Sequence, residues 1–331
     1  MKGNIANVLQ RYPIQPVQME LYDKVAKVEA AEGIFALKET QLNNEQAERF
    51  LQTLRFFEKQ QMNTVLPVLG TTYQEWCVID DDRLYYLTPW KQSCAFKRHE
   101  SAYFKTLAIF HRSTEYKEAV PESIWEEQGK LLKKERDQQL LQLEAYADQI
   151  EKKHYYSPFE LSFLMHFPLL YQCHKDSLTW YEKWESAAYE EKGIRVVRCH
   201  GSPSPDHMVL DERNNYQFIN LEQTADGHPL YDVSWLYRSC MQERMWDTVQ
   251  AYPWVKTYHH HFPLKRGEDA LLKSQLLNES FLYPFLATAS KRKLYDEHTF
   301  TFQLEEHIWM MEKIKQDLDT WPSFLDEKEN T

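Results

Sequence analysis

The chain has 331 residues, with 39 basic and 50 acidic side chains and a formal net charge of −11. That balance excludes the broad basic face with which a nucleic-acid binder recruits phosphates. Hydrophobic residues at 43% and aromatics at 14% exclude a disordered chain and allow one large or two medium domains.

The five cysteines, Cys77, Cys94, Cys173, Cys199 and Cys240, are odd in number and widely spaced. Neither a disulfide framework nor a paired-cysteine metal site is expected from them. No stretch approaches the about 18 apolar residues of a membrane span, and Met1-Lys2-Gly3-Asn4 does not open a signal peptide's apolar run. A soluble protein of a reducing compartment, without membrane insertion, is the expectation.

In chain order, residues 17–21 and 25–30 read as strands joined through Tyr22-Asp23-Lys24, and residues 34–38 follow as a third strand after a turn at Glu32-Gly33. A helix is predicted from Asn43, with Gln46 closing a capping box and Ala47, Phe50, Leu51, Leu54 and Phe57 on one face. Residues 72–79 and 84–88 are two further strand candidates around the acidic turn Asp80-Asp81-Asp82-Arg83. Beyond about Lys97 the pattern turns helical: 102–110, a charged helix over 122–153, and two helices within 159–192. A short β-rich island spans 195–219, helix returns from about Val233, and the tail 326–331 is polar and expected to fray. The tryptophans Trp180, Trp184, Trp235 and Trp309 fall in apolar helical segments and read as core.

The island reads Val197-Arg198-Cys199-His200-Gly201-Ser202-Pro203-Ser204-Pro205-Asp206-His207-Met208-Val209-Leu210. Tyr216-Gln217-Phe218-Ile219-Asn220-Leu221-Glu222 and Pro229-Leu230-Tyr231-Asp232-Val233 follow. This layout resembles the aminoglycoside phosphotransferase and choline kinase superfamily, which writes its catalytic loop H-G-D-x-x-x-x-N-x-L and its metal site I-D-x-E, with a further Asp after a short turn. Within it, the chain is most similar to the CotS/YutH group of spore coat-associated proteins of endospore-forming bacteria. Ala36-Leu37-Lys38, Tyr86-Leu87-Thr88-Pro89-Trp90 and Leu107-Ala108-Ile109-Phe110-His111 support that likeness.

The resemblance implies an α+β, protein kinase-like two-lobe fold of the aminoglycoside phosphotransferase type. A β-rich N-lobe with one helix would cover 1–92 and a mainly helical C-lobe 93–331, with Pro89-Trp90 as hinge. The C-lobe would carry a degenerate catalytic loop (199–210) and a degenerate metal motif (218–222). Ser202 stands where the family has its catalytic Asp, His207 where an Asn helps hold Mg²⁺, and Asn220 where the main metal-binding Asp belongs. Phosphoryl transfer asks the protein mainly for positioning and charge neutralisation. Loss of a general base alone costs about 10²- to 10⁴-fold, and an imidazole suits a hard, oxygen-preferring ion poorly.

Carried over in the same way, Lys38, Glu48, Thr88, Trp90 and Glu222 are the positions that could serve a nucleotide. Lys38 is read either as a phosphate partner ion-paired to Glu48 or as a solvent-facing strand lysine. Glu222 is a weak metal candidate, and His200 and Asp232 are read as braces of the loop. Ser202 as a hydrolase nucleophile fails because Gly201-Ser202-Pro203-Ser204 lacks the second glycine of a nucleophile elbow. His259-His260-His261 reads as a partly exposed helix or loop rather than a metal cluster.

The resemblance thus implies a catalytically degenerate coat protein, made in the mother-cell cytoplasm, that assembles with other coat proteins and needs no cofactor. Two alternatives stay open: an active small-molecule kinase using ATP and Mg²⁺, with Glu222 and Asp206 as metal ligands, and a nucleotide-binding switch without turnover. Oligomeric state is not read from the sequence.

Overall fold

The computed structural model describes residues 5–80, 82–91, 98–245, 250–280, 282–289 and 296–321. Cys94, Asp81 of the acidic turn, the predicted lobe boundary at 92/93 and the tail 326–331 lie outside the described residues.

The elements in chain order are α1 (Ile5–Leu9), β1 (Pro16–Tyr22), β2 (Val25–Ala30), β3 (Gly33–Thr40), α2 (Asn44–Lys59), β4 (Val78–Asp80), β5 (Arg83–Pro89) and α3 (Glu100–Arg112). Then come β6 (Tyr116–Glu118), α4 (Glu122–Glu151), α5 (Pro158–Glu190), β7 (Ile194–Cys199), β8 (Met208–Leu210), β9 (Tyr216–Phe218) and β10 (Ala225–Gly227). Helices α6 (Pro229–Glu243), α7 (Tyr252–His261), α8 (Glu268–Leu277), α9 (Leu282–Ala289) and α10 (Glu297–Thr320) complete them. By contact the chain forms two compact units: Met1–Ser113 with Arg198–Asp226, and Thr114–Val197 with Gly227–Thr331.

The first unit is built on an antiparallel sheet of order β1-β2-β3-β5-β4. Alternation along β2 and β3 sends Ala26, Val28, Phe35 and Leu37 to one face, where they pack with Ile5, Val8, Tyr12, Val78, Tyr85 and Leu87. Helix α2 starts as the sequence predicts: Asn43 Oδ1 accepts from the Gln46 N–H while Gln46 returns a bond to the Asn43 N–H. The predicted strand over 72–79 is reduced to Val78–Asp80. Its first half is a turn in which Thr71 Oγ1 accepts from the N–H groups of Tyr73 and Glu75 and Gln74 is left-handed, so that backbone is committed locally. The β8–β9 hairpin joins this unit because Phe218 exchanges main-chain bonds with Thr64 and Leu66.

The second unit is mainly helical, with Leu143, Phe159, Phe163, Leu170, Leu282, Leu304 and Ile308 in its core. Residues 158–190 form one helix rather than the two predicted, despite the internal Pro168. Proline costs a helix about 3 kcal/mol, but Phe159, Phe163, Leu170, Cys173 and Ser177 stay buried on one stripe across it, and that burial outweighs the break. Trp235, predicted as core, is 53% exposed on α6. The described cysteines, Cys77, Cys173, Cys199 and Cys240, are buried, and burial pushes the Cys77 thiol up to about 11. No helix among the described residues is long and apolar enough to cross a membrane.

Candidate nucleotide-type site

Lys38 and Tyr86 are directly opposed in the β3–β5 ladder, so their side chains share a face, the one opposite the sheet core. Past β9 the chain turns sharply at Asn220, which is left-handed (φ 63, ψ 55), and enters the short 3₁₀ turn Leu221–Gln223. Asparagine is one of the few side-chain-bearing residues that adopt that region readily. The turn brings Glu222 beneath the sheet. Lys38 Nζ lies 2.6 Å from Glu222 Oε1 and donates to Asn220 Oδ1 at 2.5 Å. Tyr86 Oη donates to the same Glu222 oxygen at 2.8 Å.

These four groups satisfy one another. Burial alone would raise the Glu222 carboxyl, but the Lys38 ammonium and the hydrogen bonds from Lys38 and Tyr86 hold it below its ordinary value. Burial, with the carboxylate beside it, pushes the Tyr86 phenol well up, so it stays a donor. The ion-pair partner of Lys38 is Glu222 rather than the expected Glu48. Glu48 is exposed on α2 and accepts from Gln52 Nε2 at 3.4 Å, because its position flanks the buried stripe of that helix.

The loop ahead of this turn is tied by its own side chains. His200 is buried, donates from Nε2 to the Ile219 carbonyl at 2.8 Å and accepts at Nδ1 from the Ser202 N–H at 3.3 Å. His207 Nδ1 donates to the Ser202 carbonyl at 2.8 Å, and its ring stacks on His200 at 5.7 Å. Ser202 and His207 thus close a small ring of loop bonds. Gly201 is left-handed (φ 90), and a Cβ there would lie 2.4 Å from the Gln223 carbonyl oxygen. Gly201→Ala is therefore expected to cost about 1–3 kcal/mol from conformation alone, with the backbone clash added, and urea unfolding of the variant checks it. Asp232 is buried in the first turn of α6.

Beside Lys38 lies a cavity of about 280 Å³. Tyr22, Val25 and Ala36 form one wall, Val209 and Leu221 another, and the chain from Thr88 to Lys91 lies along it. Thr88 and Trp90 line it, as does the exposed Asp206, whereas Glu48 does not. Pro89 has no N–H, and the Trp90 N–H is already given to the Ile34 carbonyl at 2.8 Å. The β1–β2 connection is a two-residue turn, Asp23-Lys24, with Asp23 left-handed (φ 41). That turn therefore carries two side chains rather than bare glycine backbone.

This donor set does not fit Mg²⁺. The ion wants about six oxygen ligands in near-ideal octahedral geometry. Of the two motif positions, Asn220 is neutral, and both its oxygen and one oxygen of Glu222 are turned to Lys38. His207 offers nitrogen. The arrangement suits a flat, largely apolar group beside a charge-paired lysine, with Asp206 a further carboxylate on the cavity lining.

No family model matches the chain, and no curated protein matches it. Solved structures do. An aminoglycoside phosphotransferase from Alicyclobacillus acidocaldarius is 18% identical, covers 98% of this chain and 96% of its own, and superposes with a TM-score of 0.77. Spectinomycin phosphotransferase in complex with ADP and spectinomycin is 10% identical over 96% of each chain, with a TM-score of 0.59. Amicoumacin kinase follows at 11% identity, 92% of each chain and 0.54. The fold is therefore the kinase-like α+β fold of the aminoglycoside phosphotransferases.

Tyr86 is the site residue that the sequence reading left unassigned beyond the hinge. The available signal was its register: two residues before Thr88, on the cavity-facing side of a strand that pairs with the lysine strand.

Proposed function

We propose that this chain is a catalytically degenerate kinase-fold protein, a pseudokinase acting as an assembly or interaction protein of the spore coat. The observation that supports the loss of catalysis is that Lys38 is ion-paired to Glu222 and donates to the neutral Asn220, while Tyr86 occupies the same Glu222 oxygen. His207 supports it, since its ring is used to tie the loop to the Ser202 carbonyl. The coat role rests on the likeness of the quoted motifs to the CotS/YutH group.

A second reading, a nucleotide-binding switch without turnover, is favoured by the cavity of about 280 Å³, close to the lower end of ligand pockets. Thermal unfolding with ATP, each with and without Mg²⁺, separates the readings. The scaffold predicts no shift. The switch predicts an ATP shift that is indifferent to Mg²⁺ and smaller in Lys38→Ala. A Mg²⁺-dependent shift with turnover abolished by Glu222→Gln would restore the active-kinase reading and overturn both.

A further inference from the structure

The cavity beside Lys38 has a shape and a charge balance that the loss of catalysis alone does not explain. Its lining residues all belong to the first unit. Four aromatic rings among the described residues line it in two pairs, Tyr22 with Trp90 at 6.1 Å and Phe50 with Tyr86 at 5.3 Å. Aromatic rings and aliphatic walls together favour a flat apolar body.

The charges around it are unevenly committed. Two ammonium groups line the cavity, and each has a carboxylate: Lys38 has Glu222 at 2.6 Å, and Lys91 has Glu212 at 3.4 Å. The carboxylate on the lining, Asp206, is exposed, and its side chain has no ion-pair or hydrogen-bond partner among the described residues. Counted with their partners, these groups leave one uncompensated negative charge at the cavity. A phosphate would have to draw Lys38 away from Glu222, whose side chain is only 9% exposed. That would strand a buried carboxylate beside a new negative charge. A neutral or cationic ligand leaves the pair intact. The Lys27 and Lys38 ammonium groups already lie over the Trp90 and Tyr86 rings at 5.9 and 5.8 Å. A ligand's positive group therefore has its place at Asp206 rather than on those rings. The main chain at 89–90 has no N–H to give, since Pro89 lacks one and Trp90 donates to Ile34. A ligand whose polar edge donates suits that stretch better than one that needs a donor.

We propose that this cavity takes a flat, phosphate-free aromatic molecule carrying one positive charge. Its ring lies between the aromatic and aliphatic walls, and its protonated nitrogen donates to Asp206. The proposal rests on the reading of this unit as a kinase-fold site without catalysis, and it gives that site a ligand class other than a nucleotide.

Calorimetric titration of the full chain at neutral pH, with one ring system in three charge states, tests it. There 4-aminoquinoline is a cation, quinoline is neutral and quinoline-4-carboxylate is an anion. The expected order of affinity is cation, neutral, anion, with ATP below quinoline whether or not Mg²⁺ is present. Asp206→Asn should weaken 4-aminoquinoline about fivefold, the upper end for an exposed ion pair, and leave quinoline unchanged. Ala36→Leu, which fills one wall, should weaken both. Equal or tighter binding of the anion or of ATP would overturn the proposal. So would a cation indifferent to Asp206→Asn, or no binding of any quinoline at millimolar concentration. Mg²⁺-dependent ATP turnover alongside the cation-first order would overturn the pseudokinase reading and leave this ligand class standing.

Discussion

Replacing Glu222 by Ala is expected to destabilise the first unit by about 2–3 kcal/mol at pH 7. Breaking a fully buried ion pair costs about 3–5 kcal/mol. The figure is discounted because the Lys38 side chain keeps 20% exposure, so water recovers part of the lost pairing. Tyr86 loses its acceptor at the same time, and an orphaned buried hydroxyl adds to the loss. Glu222→Gln keeps the shape and an acceptor, and should cost less. The pH dependence has a definite sign. The folded carboxyl titrates below its ordinary value of 4.5, so its contribution is fully present above about pH 4.5 and is lost as pH falls through the lower folded value. Urea unfolding of wild type and Glu222→Gln should therefore show a gap that is constant above that pH and closes below it. Equal stabilities at pH 7 would remove the Lys38–Glu222 pair from its proposed role.

The second large effect is a gain. Ser202→Asp, His207→Asn and Asn220→Asp together should make ATP binding depend on Mg²⁺, since they return three oxygen ligands or proton acceptors to the loop and the turn. A ligand at 100 times its dissociation constant adds about 2.7 kcal/mol, worth several degrees in a chain of this size. Asn220→Asp alone should behave differently. The new carboxylate would face Lys38, which already donates to that position at 2.5 Å, and would tighten an ion pair without creating an ion site. Thermal unfolding of the two variants with ATP, with and without Mg²⁺, distinguishes these outcomes. A triple variant indifferent to Mg²⁺ would mean that the cavity wall, with its side-chain-bearing Asp23-Lys24 turn and Pro89, also blocks phosphate placement.

Where the sequence reading succeeded, the determining interactions are short in range. The Asn43–Gln46 capping box spans three residues and appears as predicted. The β2–β3 hairpin follows from alternation and Gly33, and helices α3 and α4 from one-sided periodicity. The motifs around residues 197–233 implied a kinase-like fold, and the similar solved structures bear that fold out. Errors arose where local pattern competed with something the pattern does not contain. Residues 72–77 include the strand-favouring Thr72, Tyr73 and Trp76, but Thr71 Oγ1 captures the N–H groups of Tyr73 and Glu75. Two helices were expected within 159–192, but burial carries a single helix through Pro168.

Strands β1, β2, β3 and β5, helix α2 and the residues Ser202, His207 and Asn220 were legible in the chain alone, because each is a matter of residue identity or of neighbours a few positions apart. Which charges meet was fixed by long-range packing. Lys38 finds its acceptor at Asn220, 182 positions away, and segment 198–226 folds against residues 1–113 rather than with the helices on either side of it. Partners so far apart in the chain are chosen by where the burial of β8 and β9 against residues 64–66 delivers the Asn220 turn. No periodicity records that choice, since the free energy of an ion pair depends on distance in space and on the water excluded around it.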